Sequence, residues 1–327
     1  MSGAGRWERL GLVYEAPGTG DMRSHAMLPT PVLLDDRIRV FFAACDELSR
    51  GRIYFVDLDR DDPRRIIACD QRPALDLGHP DSFDDRGVNP SQVLVRDGKL
   101  LLYYIGWRRI SDAVPYTLFA GLAVSEDQGV TFRRQGTGQI LHPASDERYF
   151  RTAPFVFRQA HAWGMLYIGG GTFFDGGNSK RLPRYSLCRT HSQDGYRWTE
   201  APSLPLLLPD EARGEIGFGR PILWHEQGQA SLMISVRTER GYTLRNIVDD
   251  AGGLRWTDVL PGVVEDWEAS MICFGAPCVV DDWEYLFYNG NQFGRSGFGL
   301  ARRVAQVKPA LGAAATLLDA LGGLNES

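Results

Sequence analysis

Apolar and aromatic positions recur along the chain in one cassette. A proline sits at the start of a short apolar strand, a polar turn follows, and a second strand rich in Tyr, Phe and Leu comes next. The five copies begin at Pro29-Thr30-Pro31-Val32-Leu33, Pro90-Ser91-Gln92-Val93-Leu94, Pro154-Phe155-Val156-Phe157, Pro221-Ile222-Leu223-Trp224 and Pro277-Cys278-Val279-Val280. Their second strands are 38–42, 100–104, 165–168, 231–234 and 285–288. The spacing is roughly 56–67 residues, too long for a solenoid unit and suited to a four-stranded propeller blade. The pattern predicts an all-β chain, a five-bladed β-propeller with inner strands starting near those prolines. Inner strands of a propeller converge on a funnel, so residues just before each proline are the first candidates for a site.

The rest of each period reads as outer strands. Ser125-Glu126-Asp127-Gln128-Gly129-Val130-Thr131-Phe132 and Ser192-Gln193-Asp194-Gly195-Tyr196-Arg197-Trp198 follow short apolar runs, and the stretch 244–256 is a weaker copy. Each predicts a strand, an Asp/Gly turn tolerant of positive φ, and an aromatic that packs back between sheets. Leu10-Gly11-Leu12-Val13-Tyr14 predicts one more strand, placed to complete the last blade and remove its free edge. The stretch Pro309–Leu321 is Ala/Leu-rich and predicts a short helix ending at Gly322-Gly323. Residues 1–305 are thus expected to form one propeller and 306–327 a helical tail, packed on it or serving homo-oligomer contacts.

Composition narrows the partners. A net charge of −5 argues against a nucleic acid partner. No apolar run is long enough to cross a bilayer, and the first residues do not read as a signal peptide. The five scattered cysteines, with no CxxC pair, suggest reduced thiols and a cytoplasmic location. Neither a phosphate-binding glycine loop, nor His/Cys zinc spacing, nor a Gly-x-Ser-x-Gly elbow occurs, so no cofactor or metal is expected.

The candidate chemistry lies before the inner strands. Asp84 and Asp85 precede Pro90, Glu215 precedes Pro221 among small residues, and Glu268 stands beside Trp267. Two of these could act as acid and base. Ion pairs with Arg86, Arg213 or Arg220 are the structural alternative. His25, at a blade entrance, has a side chain suited to proton transfer or hydrogen bonding. Arg151 would pair with a funnel carboxylate or clamp an anionic group. Asn289 ends a second strand, where it would reach the funnel or make a turn.

Ser24-His25-Ala26-x-x-Pro29, Arg39-Val40-Phe41-Phe42, Phe83-Asp84-Asp85-x-Gly87-Val88, Tyr103-Tyr104-Ile105-Gly106-Trp107, Gly121-Leu122-Ala123-Val124-Ser125 and Tyr288-Asn289-Gly290-Asn291 carry a resemblance. The chain resembles the five-bladed propeller superfamily of glycoside hydrolases, which includes arabinofuranosidases, invertase-like enzymes and mannoside phosphorylases. It is most similar to a propeller subset associated with polysaccharide or secondary-metabolite biosynthesis. The resemblance implies three acidic residues on successive inner strands: a base or nucleophile, an orienting carboxylate and a general acid. Asp84, Asp85, Glu215 and Glu268 are the catalytic candidates on that basis. His25, Arg151, Asp46, Trp107 and Asn289 are the substrate-binding candidates. Asp46 stands where the superfamily has an Arg-Asp pair, with Cys45 in place of the arginine. The first inner strand departs from the scheme, offering Arg23-Ser24-His25-Ala26 where an acidic residue is expected. The third offers Arg148-Tyr149-Phe150-Arg151, with Glu147 further back. Three readings follow: a glycosidase-like enzyme using funnel carboxylates, a repurposed biosynthetic enzyme (elimination, cyclisation or group transfer), or a non-catalytic glycan-binding protein. The expected partner is a small molecule or glycan.

Overall fold

Strands dominate the computed structural model, which describes residues 5–176, 181–199, 205–250, 253–262, 264–306 and 313–323. Strand pairing falls into antiparallel quartets. The first is β2 (Ser24–Leu33), β3 (Arg37–Cys45), β4 (Gly51–Asp59) and β5 (Ile66–Cys69). The second is β6 (Gly87–Arg96), β7 (Lys99–Arg109), β8 (Tyr116–Ser125) and β9 (Arg133–Arg134). The third is β10 (Phe150–Arg158), β11 (Trp163–Asp175), β12 (Arg181–Ser192) and β13 (Pro205–Leu207). The fourth is β14 (Glu215–Glu226), β15 (Gln229–Thr238), β16 (Gly241–Asp250) and β17 (Gly253–Asp258). In the last, β18 (Cys273–Val280), β19 (Trp283–Asn289) and β20 (Phe298–Val304) are completed by β1 (Glu8–Tyr14) from the other end of the chain. Short parallel pairings at Gly51–Gly87 and Phe150–Leu118 join the first three quartets into one sheet.

Aromatic side chains on opposing faces fill the spaces between quartets. Phe41, Tyr104 and Phe132 lie in one such layer, Tyr103, Tyr167 and Trp198 in the next, and Tyr14, Phe42 and Phe298 in another. Phe132 and Trp198 are the aromatics expected to close the outer hairpins, and both are buried. The two ends of the strand series meet at Asn289. Its side chain donates to Ala26 O at 2.8 Å and accepts from Leu28 N at 2.7 Å, so β19 is fastened to β2.

The inner strands begin at Ser24, Gly87, Phe150, Glu215 and Cys273, several residues ahead of the prolines. Each carries a bulge before its second half. At four of these bulges a non-glycine residue has positive φ: Leu28 (52°), Ala153 (49°), Arg220 (42°) and Phe274 (56°). A proline follows the first three, where its missing N–H breaks no ladder bond. Gly275 follows Phe274, so Gly275 is the counterpart of Pro29 in the last quartet. Pro277 instead stands within the regular ladder, opposite Leu286.

The C-terminal helix spans Ala313–Gly323 and runs through the two glycines expected to end it. Residues 309–312 of the anticipated helix lie outside the described residues. Leu317, Leu318 and Leu321 pack with Leu206, Leu207 and Leu232 of the same chain. No helix among the described residues is long and apolar enough to cross a membrane.

Candidate functional site

The bulges of all five inner strands line one central chamber of about 180 Å³. Met27 and Leu28 come from β2, Asn89 from β6, Thr152 and Ala153 from β10, Phe218 to Arg220 from β14, and Phe274 from β18. A bulge turns consecutive side chains out of the pleat, which is how strands otherwise buried on both faces present residues here. The remaining wall is aliphatic and aromatic and includes Tyr185 and Tyr242.

Arg220 forms the floor. Its guanidinium donates to Pro29 O (2.8 Å), Phe274 O (3.1 Å), Thr30 Oγ1 (2.7 Å) and Ser91 O (3.2 Å), leaving Nε buried without a partner. No carboxylate pairs with it among the described residues. Burial pulls this guanidinium down to about 9. A second cavity, about 220 Å³, lies on its other side, lined by Thr30, Ser91, Phe155 and Trp224. Arg220 lines both spaces, so one side chain partitions the centre of the molecule.

Two lining residues each carry an unpartnered polar atom packed away from solvent. Thr152 Oγ1 and Asn89 Oδ1 are buried without hydrogen-bond partners. Tyr185 Oη meets Tyr116 Oη at 3.0 Å. Arg237 donates to Tyr185 Oη at 3.4 Å and stands 5.7 Å from the ring centres of both Tyr185 and Tyr242. Burial raises both phenols, Tyr242 to about 12, so their hydroxyls stay neutral and able to donate.

None of the nine candidate residues lines this chamber. Asp84 is buried against the second quartet, where it accepts from Arg134 Nε (2.8 Å), Tyr104 Oη (3.0 Å) and Ser82 Oγ (2.8 Å). Asp85 accepts from Asp81 N through Oδ2, while its buried Oδ1 has no partner. Glu268 is buried and ion-paired with Arg9 Nε at 2.9 Å, beside Tyr288. Arg151 is fully buried and pairs with Glu147 Oε2 at 2.9 Å. Asp46 accepts from Arg50 Nε (2.8 Å) and Arg52 Nη1 (3.0 Å). Desolvation opposes its ionised form, but the backbone and arginine hydrogen bonds prevail and hold it below its usual range. Trp107 packs over Gly87 of the neighbouring strand. Asn289 is the fastening described above. His25 shares a hydrogen bond with Ser24 Oγ (2.8 Å), two residues before Met27 at the chamber's rim. Burial, and then the nearby Arg295 charge, lower its pKa.

Two carboxylate candidates border other clefts: Glu268 lines one of about 280 Å³ beside Tyr242, Leu260 and Ser270, and Glu215 lines a larger one. That cleft, about 550 Å³, is lined by Arg184, Glu211, Arg213, Glu215, Thr238, Glu239 and Arg240, among others. Glu215 accepts from Asp210 N at 3.0 Å, and Arg184 pairs with Glu211. Arg184 faces the cleft and Tyr185 the chamber. Ile216 and Phe218 divide in the same way, so β12 and β14 form the wall between the two.

Sequence reasoning passed over Thr152, Asn89, Tyr185, Tyr242 and Arg237, and met Arg220 only as a partner for Glu215. The available signal was positional: Asn89 and Arg220 directly precede Pro90 and Pro221. It also missed a buried cluster at the far end of β14. There Glu284 accepts from Arg303 Nε (2.6 Å) and lies 2.6 Å from His225 Nε2. Among the described residues no group of three or more His, Cys, Asp or Glu side chains is arranged to hold a metal ion.

No family model matches the chain. Two curated proteins of Mycobacterium tuberculosis are similar to it, Uncharacterized protein Rv1502 of strain H37Rv and Uncharacterized protein MT1551 of strain CDC 1551. Each is 29% identical over 311 residues, covering 90% of this chain and 98% of its own length. Among solved structures, a glycoside hydrolase superposes with a TM-score of 0.69 at 16% identity over 94% of both chains. The β-1,2-mannobiose phosphorylase of Listeria innocua gives 0.65 at 10% identity, covering 97% of this chain and 98% of its own. A glycoside hydrolase of the GH130 mannoside phosphorylase family, which targets β-1,2 mannosidic linkages in Candida mannan, gives 0.64 at 14% over 94% and 97%. These likenesses show the fold: a mostly β chain built like glycoside hydrolases and mannoside phosphorylases.

Proposed function

We propose that this protein is a sugar-acting enzyme that holds a sugar or sugar-like compound in the central chamber. In this reading the five quartets are the blades of a five-bladed propeller, residues 1–305 are its body and 306–327 its tail. One observation carries the assignment. All five inner strands bring their bulges to a single cavity, where Asn89, Thr152, Tyr185, Arg220 and Tyr242 stand among apolar side chains. The aliphatic and aromatic walls suit the C–H faces of a sugar ring. The fold shared with glycoside hydrolases and phosphorylases supports the same substrate class.

Glu215 faces the neighbouring cleft and not the chamber, so we assign it to acid/base work on the portion of an extended substrate that reaches that cleft. A pair of chamber carboxylates, as a two-acid glycosidase requires, has no support in the lining. That absence favours binding without turnover as the second reading. The test is an assay of oligosaccharides and aryl glycosides, with and without inorganic phosphate, on the full chain and on Glu215→Gln and Met27→Trp. Turnover that falls roughly 10²-fold or more in Glu215→Gln, with binding lost in Met27→Trp, supports the enzyme. Binding without turnover in the unaltered chain selects the second reading. Binding that survives in Met27→Trp refutes the chamber assignment.

A further inference from the structure

One lining residue of the chamber differs from the rest. Phe293 is 38% exposed, while the other lining residues are buried or half-buried. It therefore stands where the chamber meets solvent. Its ring meets Tyr242 of the wall edge-on, with centroids 5.9 Å apart and planes at 78°. The part of the ring left in water is apolar surface, which a ligand entering the chamber would cover.

An uncommon backbone holds the ring there. The segment 290–297 joins β19 to β20. Within it Gln292 (φ 51°, ψ 44°) and Phe293 (φ 62°, ψ 29°) are consecutive left-handed residues, and neither is glycine. That conformation sets Cβ against the following carbonyl, so it persists only where the surroundings impose it. Both flanks do so. Asn291 Oδ1 accepts from Ser270 N (2.8 Å), Ser270 Oγ (2.7 Å) and Met271 N (3.1 Å), and its Nδ2 donates to Asp266 O (2.7 Å). On the other flank Gly294 lies so close to Asn289 that a Cβ there would strike the Asn289 amide. The strained step places no side chain in the core. Its result is an exposed aromatic at the entrance to a cavity with aliphatic and aromatic walls.

A sugar ring presents C–H groups on its faces, and these pack on the electron-rich face of an aromatic ring. An open-chain polyol has the hydroxyls without such a face. Resting on the chamber reading above, we propose that Phe293 is the platform on which the ligand's ring stacks, and that it selects cyclic sugars over open-chain polyols.

Isothermal titration of the full chain tests this with the methyl β-glycosides of D-glucose, D-mannose and D-galactose, with β-1,2-mannobiose, and with D-glucitol, D-mannitol and galactitol. These glycosides carry no aryl group that would stack in the sugar's place. At least one cyclic probe should bind about tenfold or more tightly than the alditols. Its Kd should rise about fivefold or more in both Phe293→Ala and Phe293→Leu, and stay within about twofold in Phe293→Tyr. Should the alanine variant fail to fold, the leucine variant decides, because it keeps apolar cover and removes only the ring. Leucine binding as well as phenylalanine overturns the proposal, and so does equal affinity for alditols and glycosides. Met27→Trp separates the two levels. Binding lost there but unchanged in Phe293→Ala and Phe293→Leu leaves the chamber standing and removes only the platform. Unchanged binding in Met27→Trp, or no binding of any probe by the unaltered chain, removes both.

Discussion

Glu147 Oε2 lies 2.9 Å from Arg151 Nε, and the Tyr167 hydroxyl donates to the same carboxylate at 2.9 Å. The second quartet repeats this trio with Asp84, Arg134 and Tyr104, and the last with Glu268, Arg9 and Tyr288. In each case the acid comes from the segment leading into an inner strand, and the tyrosine from the strand beside it. A carboxylate that recurs in this way fastens a connection to its sheet. That explains why Asp84 and Glu268 look like catalytic acids in the sequence and are enclosed in the fold.

Asp84→Asn and Glu268→Gln should therefore act on stability. Each weakens the hydrogen bonds of a buried acid to a half-buried arginine and a buried tyrosine, a loss of about 1–3 kcal/mol. Urea denaturation should show a lower midpoint for both. A midpoint equal to that of the parent chain would contradict the fastening role.

Gly106 and Gly169 each follow a trio tyrosine by two residues, and a Cβ at either would strike the trio itself. At Gly106 it would meet Phe83 and, at 2.7 Å, Asp84 Cβ; at Gly169 it would meet the Glu147 carboxylate. Gly106→Ala and Gly169→Ala should each cost about 1–3 kcal/mol through overpacking. Thermal unfolding checks this, and unchanged melting temperatures would show that the loops yield freely.

Arg220→Met should destabilise the chain even though it removes a buried charge. The carbonyls of Pro29, Ser91 and Phe274 would lose their donor, at about 1–3 kcal/mol for each left unsatisfied. Arg220→Lys should recover little, because one ammonium cannot span the acceptors that the fork reaches. Full rescue by lysine would show that charge alone matters there.

Glu284 sets an acid limit. Desolvation pushes its carboxyl up, but hydrogen bonds from His225 and Gln306 N, with the Arg303 charge, outweigh it and bring the group down to about 2. A carboxyl depressed in the folded state stabilises fully above its unfolded value, near 4.5. The contribution is lost as pH falls from there toward about 2. The melting temperature of the parent chain should thus exceed that of Glu284→Gln at pH 7, and the gap should close across that window. A gap independent of pH down to 2 would refute the linkage.

Much of the fold was legible from local chemistry. The alternation of Pro-marked apolar runs with aromatic second strands located the inner and second strands, because strand patterning has period two and depends only on neighbours in the chain. The Ser-x-Asp-x-Gly turns gave the outer hairpins, and Leu10–Tyr14 gave the strand that completes the last quartet. Even there, Pro277 misled. The residue that matters is the bulge, and in the last quartet Phe274-Gly275 makes it without a proline.

What tertiary structure alone decided was which polar groups meet. A carboxylate near an inner strand reads the same in sequence whether it faces the centre or an arginine 50 or more residues away. Glu268 meets Arg9 only because β1 joins the last quartet, and Asp84 meets Arg134 only because the second quartet's outer strand reaches its loop. The central chamber has the same origin. Thr152, Asn89, Tyr185 and Tyr242 carry no motif. They become a site because five bulges converge on one point, and convergence depends on the closure of the whole strand series rather than on any segment of it.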